Sequence, residues 1–244
     1  MKPTSKFLKG ILDGLPIGIG YLSVSFAFGI LAVEYGLSPL EALLISMTNL
    51  TSAGQLAAVP IIAGGGSFIE LAVTQLIINS RYALMSVALS QKLDKKVKLW
   101  HRFIIAFGNT DEIFAVSMGQ KESVGKVYFF GLMLTPWVGW SAGTILGALA
   151  GSALPPIITS SLNIAIYAML VSIFVPKAKE HLPTALCVLL SVAISCAFKY
   201  LPLLSTFAEN YSGFVIIICA VVSSAIFALL FPTQLNEEVE QNGN

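Results

Sequence analysis

Charge is scarce in this chain. Only 11% of its 244 residues are Asp, Glu, Lys or Arg, and 56% are hydrophobic; ordinary soluble domains carry roughly 25% charged residues. So few charges cannot cover the surface of a water-soluble protein of this length, which excludes a soluble globular fold. A net charge of +1 leaves no electrostatic basis for binding nucleic acid. Cysteine is rarer still: Cys187, Cys196 and Cys219 all sit in apolar runs, their number is odd, and they read as small buried hydrophobes without a disulfide framework. Neither His101 nor His181 has a second ligand at helical spacing, so no metal site is expected and both read as surface residues beside Lys or Arg. The run Gly64-Gly65-Gly66-Ser67 lacks a following Gly-Lys-Ser/Thr, which excludes a nucleotide-binding loop, and no cofactor is implied.

What the chain has instead is long apolar runs, the pattern of an all-α polytopic membrane protein with about six to eight transmembrane helices. The first run, 15–33, is too long for the core of a signal peptide and reads as a membrane helix. Further windows lie near 40–63, 68–90, 103–119, 127–150, 160–175, 182–198 and 212–231. Two of them carry polar residues at their centres: Thr48 to Gln55 in the first, Gly108-Asn109-Thr110-Asp111-Glu112 in the second. If every window simply spans, the basic cluster Lys92, Lys95, Lys96, Lys98 and Arg102 falls outside and Lys/Arg divide almost evenly. If the windows 40–63 and 103–119 are broken or re-entrant, 12 loop Lys/Arg share one face, with only Lys199 opposite and Arg81 within the membrane. The positive-inside rule selects the second arrangement, with both termini cytoplasmic. Residues 1–232 then form one transmembrane domain, and Glu237, Glu238 and Glu240 mark a short acidic tail over 233–244. Asp13, before Gly14-Leu15-Pro16, reads as a helix start, and Trp100-His101 as an interfacial anchor.

A charged side chain at the bilayer centre costs about 2.5–3.5 kcal/mol even on insertion scales, so those at depth need partners or water. Arg81 is nine residues from the basic end of its helix, too deep to snorkel. On the same helix Gln75, Asn79, Tyr82, Ser86 and Ser90 form one polar stripe, with Arg81 about 100° away from it. Glu70 is about 16 Å along the axis and too far to pair, so Asp111 or Glu112 from another segment is the expected partner. Two readings stand for Arg81: a structural clamp on a carboxylate or broken backbone, or a contact to a substrate carboxylate. Around Asn49, Thr51, Ser52, Gly54 and Gln55 a broken helix exposes N–H groups that suit a carboxylate and carbonyls that suit an ammonium, a pairing that fits a zwitterionic amino acid; close helix packing is the alternative. Asp111 and Glu112 serve proton coupling or an ion pair with Arg81. Gly143, Gly147 and Gly151 form a close-packing ridge, and Pro155-Pro156 ends its helix.

The same residues carry a family resemblance. Gly14-Leu15-Pro16-Ile17-Gly18, Thr51 to Ala58, Asn79 to Ser86, Thr110 to Ala115, Trp140 and the glycine ridge resemble, in order, the AzlC family over roughly residues 10–175. The resemblance implies the large subunit of a bacterial branched-chain amino acid exporter in the plasma membrane, working with a small AzlD-like membrane subunit. The site expected is Asn49, Thr51, Ser52, Gly54, Gln55, Asn79, Arg81 and Tyr82 for substrate, with Asp111, Glu112 and Arg81 for proton coupling or pairing. Two rivals are weighed against it. An intramembrane aspartyl protease needs acids from separate helices, whereas the deep acids here are adjacent; a structural or permease subunit of a larger complex would carry a different substrate.

Overall fold

The computed structural model describes residues 3–151 and 178–231, with positions 157, 164, 171 and 175 between them. The described residues form ten α-helices and no strand, in two compact units, residues 1–170 and 171–244. The all-α membrane architecture expected from the apolar runs is present. Four helices are long and apolar enough to cross a bilayer among the described residues, Thr4–Glu34, Lys126–Ala150, Leu182–Tyr200 and Gly213–Leu230. Most of the window near 160–175, the double proline and the acidic tail lie outside the described residues.

In the first unit α1 (Pro3–Glu34) and α7 (Lys126–Ala150) run side by side in the same direction. Their register comes from glycine. A Cβ at Gly10 would meet Tyr128 and one at Gly18 would meet Thr135, while on the other helix Gly139 faces Gly18, Gly143 faces Leu22 and Gly147 faces Phe26. The expected glycine ridge is therefore a helix–helix seam, and it continues beyond the residues first singled out. Gly151 is its weakest member, with Ile30 at an ordinary 3.6 Å. Without lipid-to-helix hydrophobic gain, such close backbone approach is what holds membrane helices together.

Between these two parallel helices the chain repeats one plan with opposite sense. After α1, the pair α2 (Pro39–Thr48) and α3 (Ser52–Ala63) enters from the C-terminal end of α1 and returns to it. Ala42 and Val59 both pack with Phe28, Ala32 and Ala148, whereas Gln55 reaches Trp140 deeper in. Next α4 (Phe68–Lys92) runs back to the basic end, where Leu93 pairs with Val124 just before α7. There α5 (Leu99–Phe107) and α6 (Asp111–Met118) form a second hairpin. Its outer ends touch the starts of α7 and α1: Lys126 Nζ lies 3.0 Å from His101 Nε2, and Lys9 Nζ donates to Gln120 Oε1 at 2.8 Å. Its break reaches Tyr21, far along α1. Both odd windows are thus broken hairpins, one from each end, as the charge distribution required. A long helix followed by a broken hairpin, repeated in the opposite direction, is the plan of an inverted-topology repeat.

Two local expectations are corrected. Asp13 does not start a helix, because α1 begins at Pro3 and carries Pro16 inside it. At 32 residues α1 extends about 48 Å, well past the hydrocarbon core, and Asp13 accepts a hydrogen bond from Tyr128 Oη of α7 at 2.6 Å. His101 is not at the surface: it is 2% exposed and stacks on Trp100 with ring centroids 3.7 Å apart. Its burial, and then the neighbouring Lys126 and Lys98, hold the imidazole below its ordinary pKa. His181 is exposed, as expected.

The second unit contains α8 (Leu182–Tyr200), the short α9 (Pro202–Asn210) and α10 (Ser212–Leu230). Phe198, Phe207 and Tyr211 link the three through ring contacts of 6.1 and 5.2 Å. All three cysteines are free.

The seam makes a direct prediction. Gly147→Leu should destabilise the fold by about 3 kcal/mol or more through overpacking, read as loss of the folded peak after heating in detergent. Gly20→Ala, where a Cβ meets nothing within 4 Å, should not lower the unfolding midpoint, since Ala is the better helix former.

Candidate functional site at two helix breaks

Each break leaves the last carbonyls of one half-helix and the first N–H groups of the next without intrahelical partners. In both, a threonine N-cap meets part of this demand. Thr51 Oγ1 accepts from Gly54 N at 3.4 Å in the first break, and Thr110 Oγ1 accepts from Ile113 N at 3.4 Å in the second. Asn49 and Asn109 stand just before these caps.

The polar stripe of α4 faces both breaks. Gln75 Nε2 donates to Gly54 O at 2.8 Å, and Thr51 Oγ1 donates to Asn79 Oδ1 at 2.9 Å. Asn79 Nδ2 donates back to Gln75 Oε1 at 3.1 Å. Farther along the same stripe, Ser86 Oγ accepts from Asn109 Nδ2 of the second break at 3.1 Å. A Cβ at Gly54 would lie 2.6 Å from Gln75 Oε1, so a larger residue there would displace the Gln75 side chain from this approach.

Between the breaks lies a cavity of about 200 Å³. Thr48, Asn49, Leu50 and Thr51 come from the first break, Asn79 and Tyr82 from α4, and Phe107 and Asn109 from the second break. Its walls thus combine amide and hydroxyl groups with the apolar faces of Leu50 and Phe107. It is smaller than the roughly 300–1,000 Å³ typical of pockets for drug-sized ligands.

Beside the cavity sits the ion pair expected from the charges at depth. Arg81 Nη1 lies 2.7 Å from Asp111 Oδ2, with the side chains 37% and 39% exposed. Arg81 Nη2 also donates to Tyr82 Oη at 3.1 Å, and the guanidinium lies 4.8 Å from that ring. Arg81 points away from the stripe along the helix, but its long side chain folds back onto the next residue. Glu112 accepts a hydrogen bond from Tyr21 Oη of α1, and the same oxygen lies 2.9 Å from Thr110 Oγ1. Asp111 and Glu112 occupy the first turn of α6, where the helix dipole favours anions.

A sequence profile described as "AzlC protein" matches residues 16–154, more than half of the chain. The chain belongs to the AzlC family. It is 33% identical to an uncharacterized membrane protein of Archaeoglobus fulgidus over 84% of this chain and 90% of that one. It is 31% identical to the inner membrane protein YgaZ of Escherichia coli, over 62% of this chain and 63% of that protein. It is also 24% identical to the branched-chain amino acid transport protein AzlC of Bacillus subtilis, over 68% and 67% of the two chains. No solved structure matches it. The AzlC match spans both breaks, the ion pair, α7 and α1 from Pro16 onward.

Within this AzlC segment the residues singled out from sequence separate into two groups. Asn49, Thr51, Asn79 and Tyr82 line the cavity, with Arg81 and Asp111 beside it. Gln55 turns away from it: fully buried, its Nε2 donates to Ile45 O and Asn49 O, and its Oε1 accepts from Trp140 Nε1 at 3.0 Å. It is a clasp on the end of α2. Ser52 faces Val24, Phe28 and Trp140. Sequence reasoning did not place Asn109 or Phe107 at the site, although the equivalence of Asn49-Leu50-Thr51 with Asn109-Thr110 was there to be read. Tyr21, embedded in an apolar run, gave no signal. Among the described residues, no cluster of three or more His, Cys, Asp or Glu could hold a metal.

Replacing Gln55 by Leu would strand the buried Trp140 N–H and take the side-chain donor from Asn49 O, while Ile45 O keeps its bond from Asn49 N. The loss should be about 3 kcal/mol, measured as a lower unfolding midpoint in detergent, with Ser52→Ala nearly neutral in the same assay.

Proposed function

We propose that this chain exports hydrophobic, branched-chain amino acids across the bacterial plasma membrane by proton-coupled alternating access. Its basic end and both termini face the cytoplasm, and residues 1–232 act as one transporter domain. The observation that carries this reading is the cavity bounded by both helix breaks, which sets half-helix ends, amides and hydroxyls against Leu50 and Phe107. The first N–H groups of α3 suit a carboxylate, amide and backbone oxygens suit an ammonium, and the apolar residues suit an aliphatic side chain. The opposed hairpins supply two pieces that can open in turn toward opposite faces. The name of the Bacillus subtilis relative supports the substrate class.

Asn49, Thr51, Asn79 and Tyr82 hold the substrate in this reading, with Ser52, Gly54 and Gln55 shaping the break behind them. Asp111, paired with Arg81, and Glu112, held by Tyr21, are the groups that take up and release the proton. The half-exposed ion pair cannot face lipid without cost, which supports a water-filled path or a small AzlD-like membrane subunit beside it.

Arg81→Ala and Asp111→Asn should each abolish valine efflux from preloaded cells while leaving the amount of protein in the membrane unchanged. An uncoupler should abolish efflux by the unaltered chain. Efflux at the unaltered rate in both variants would overturn the assignment of the site.

A further inference from the structure

A second cavity, of about 210 Å³, lies between α4 and α5 toward the basic end. Its walls are almost wholly apolar, formed by residues such as Leu89, Leu93, Phe103 and Ile105, with Ser86 and Arg102 also among the lining residues. Arg102 is half-buried and makes no ion pair with the described residues. A guanidinium beside an aliphatic cavity is complementary to a molecule with a carboxylate at one end and a branched hydrocarbon at the other.

This cavity adjoins the central one. Ala106 lines both, and the polar stripe of α4 passes from Tyr82 in the central cavity to Ser86 in the inner one, a single turn or about 6 Å farther. Between them stands the hydrogen bond from Asn109 Nδ2 to Ser86 Oγ at 3.1 Å. Asn109 is 3% exposed, and its Oδ1 has no partner among the described residues. A buried carbonyl without a donor offsets part of what that hydrogen bond contributes, so the barrier between the cavities is weakly held.

We propose that the cavity between α4 and α5 is a second, inner substrate site, which takes an aliphatic amino acid by its carboxylate at Arg102 and passes it to the central cavity when the Asn109–Ser86 hydrogen bond opens. It rests on the transport reading above and deepens it. The position beside the central cavity, across Ala106, favours an amino acid over a lipid, whose anionic head group Arg102 would otherwise also suit.

The test is uptake of labelled valine into inverted membrane vesicles, which present the basic end to the medium. Arg102→Gln should raise KM about tenfold, the loss of one charge-assisted hydrogen bond, with kcat unchanged; Arg102→Lys should recover part of it. Leucine should compete with valine about tenfold better than leucinamide, which lacks the carboxylate, and Arg102→Gln should remove that difference. An unaltered KM in Arg102→Gln overturns the inner site. So does an anionic lipid found by native mass spectrometry on the unaltered chain and lost from Arg102→Gln with the valine KM unchanged. If vesicles bearing the unaltered chain take up no branched-chain amino acid, the transport reading falls and the inner site falls with it.

Discussion

A backbone amide or carbonyl within a bilayer has no water to turn to, and each one left without a partner costs several kcal/mol. The first unit interrupts its helices twice at depth, so almost everything around the breaks answers that demand. Thr51 and Thr110 cap the returning half-helices. Gln75 reaches Gly54 O, Gln55 closes on the end of α2, and Trp137 Nε1 donates to Met47 O at 3.0 Å. The groups that hold the breaks in shape also bring Asn49, Asn79 and Asn109 around one small volume. Structural necessity and a polar cavity in an apolar protein arise from the same residues.

How much of this was legible in the sequence follows from the range of each signal. Broken hairpins could be read because a polar cluster inside an apolar run is costly and because the distribution of Lys and Arg excluded simple spans. The Arg81–Asp111 pair could be read because a charge at that depth needs an opposite one and few were on offer. Glycines spaced four apart announced a close-packed seam. What escaped were facts that depend on which element comes to lie opposite. Asp13 pairs with Tyr128 across two parallel helices, and no local pattern encodes that contact. Gln55 looked like a cavity residue by composition, yet Trp140 from a distant helix turns it into a clasp. His101 looked interfacial because its neighbours are basic, but the return of the second hairpin beside Lys126 encloses it.

The two hairpins are held differently, and their chemistry reflects this. The first is fastened to α7 by neutral contacts: Ser46 and Thr144 hydroxyls lie 2.7 Å apart, and two indole N–H groups donate into the break. At the second break, charge does the fastening, through Asp111 to Arg81 and Glu112 to Tyr21. Protonating a carboxylate weakens such bonds, whereas the neutral set is indifferent to protons over the physiological range.

The glycine seam has a mechanical consequence. Side chains that interlock loosely let neighbouring helices slide by small rotamer adjustments, but here Gly18 lies against Gly139 and the backbone of Phe26 against Gly147, with no side chain between to yield. Helices joined backbone to backbone move as one stiff rail. Any displacement within this unit would fall to the parts hung along that rail, with α1 and α7 as its fixed frame.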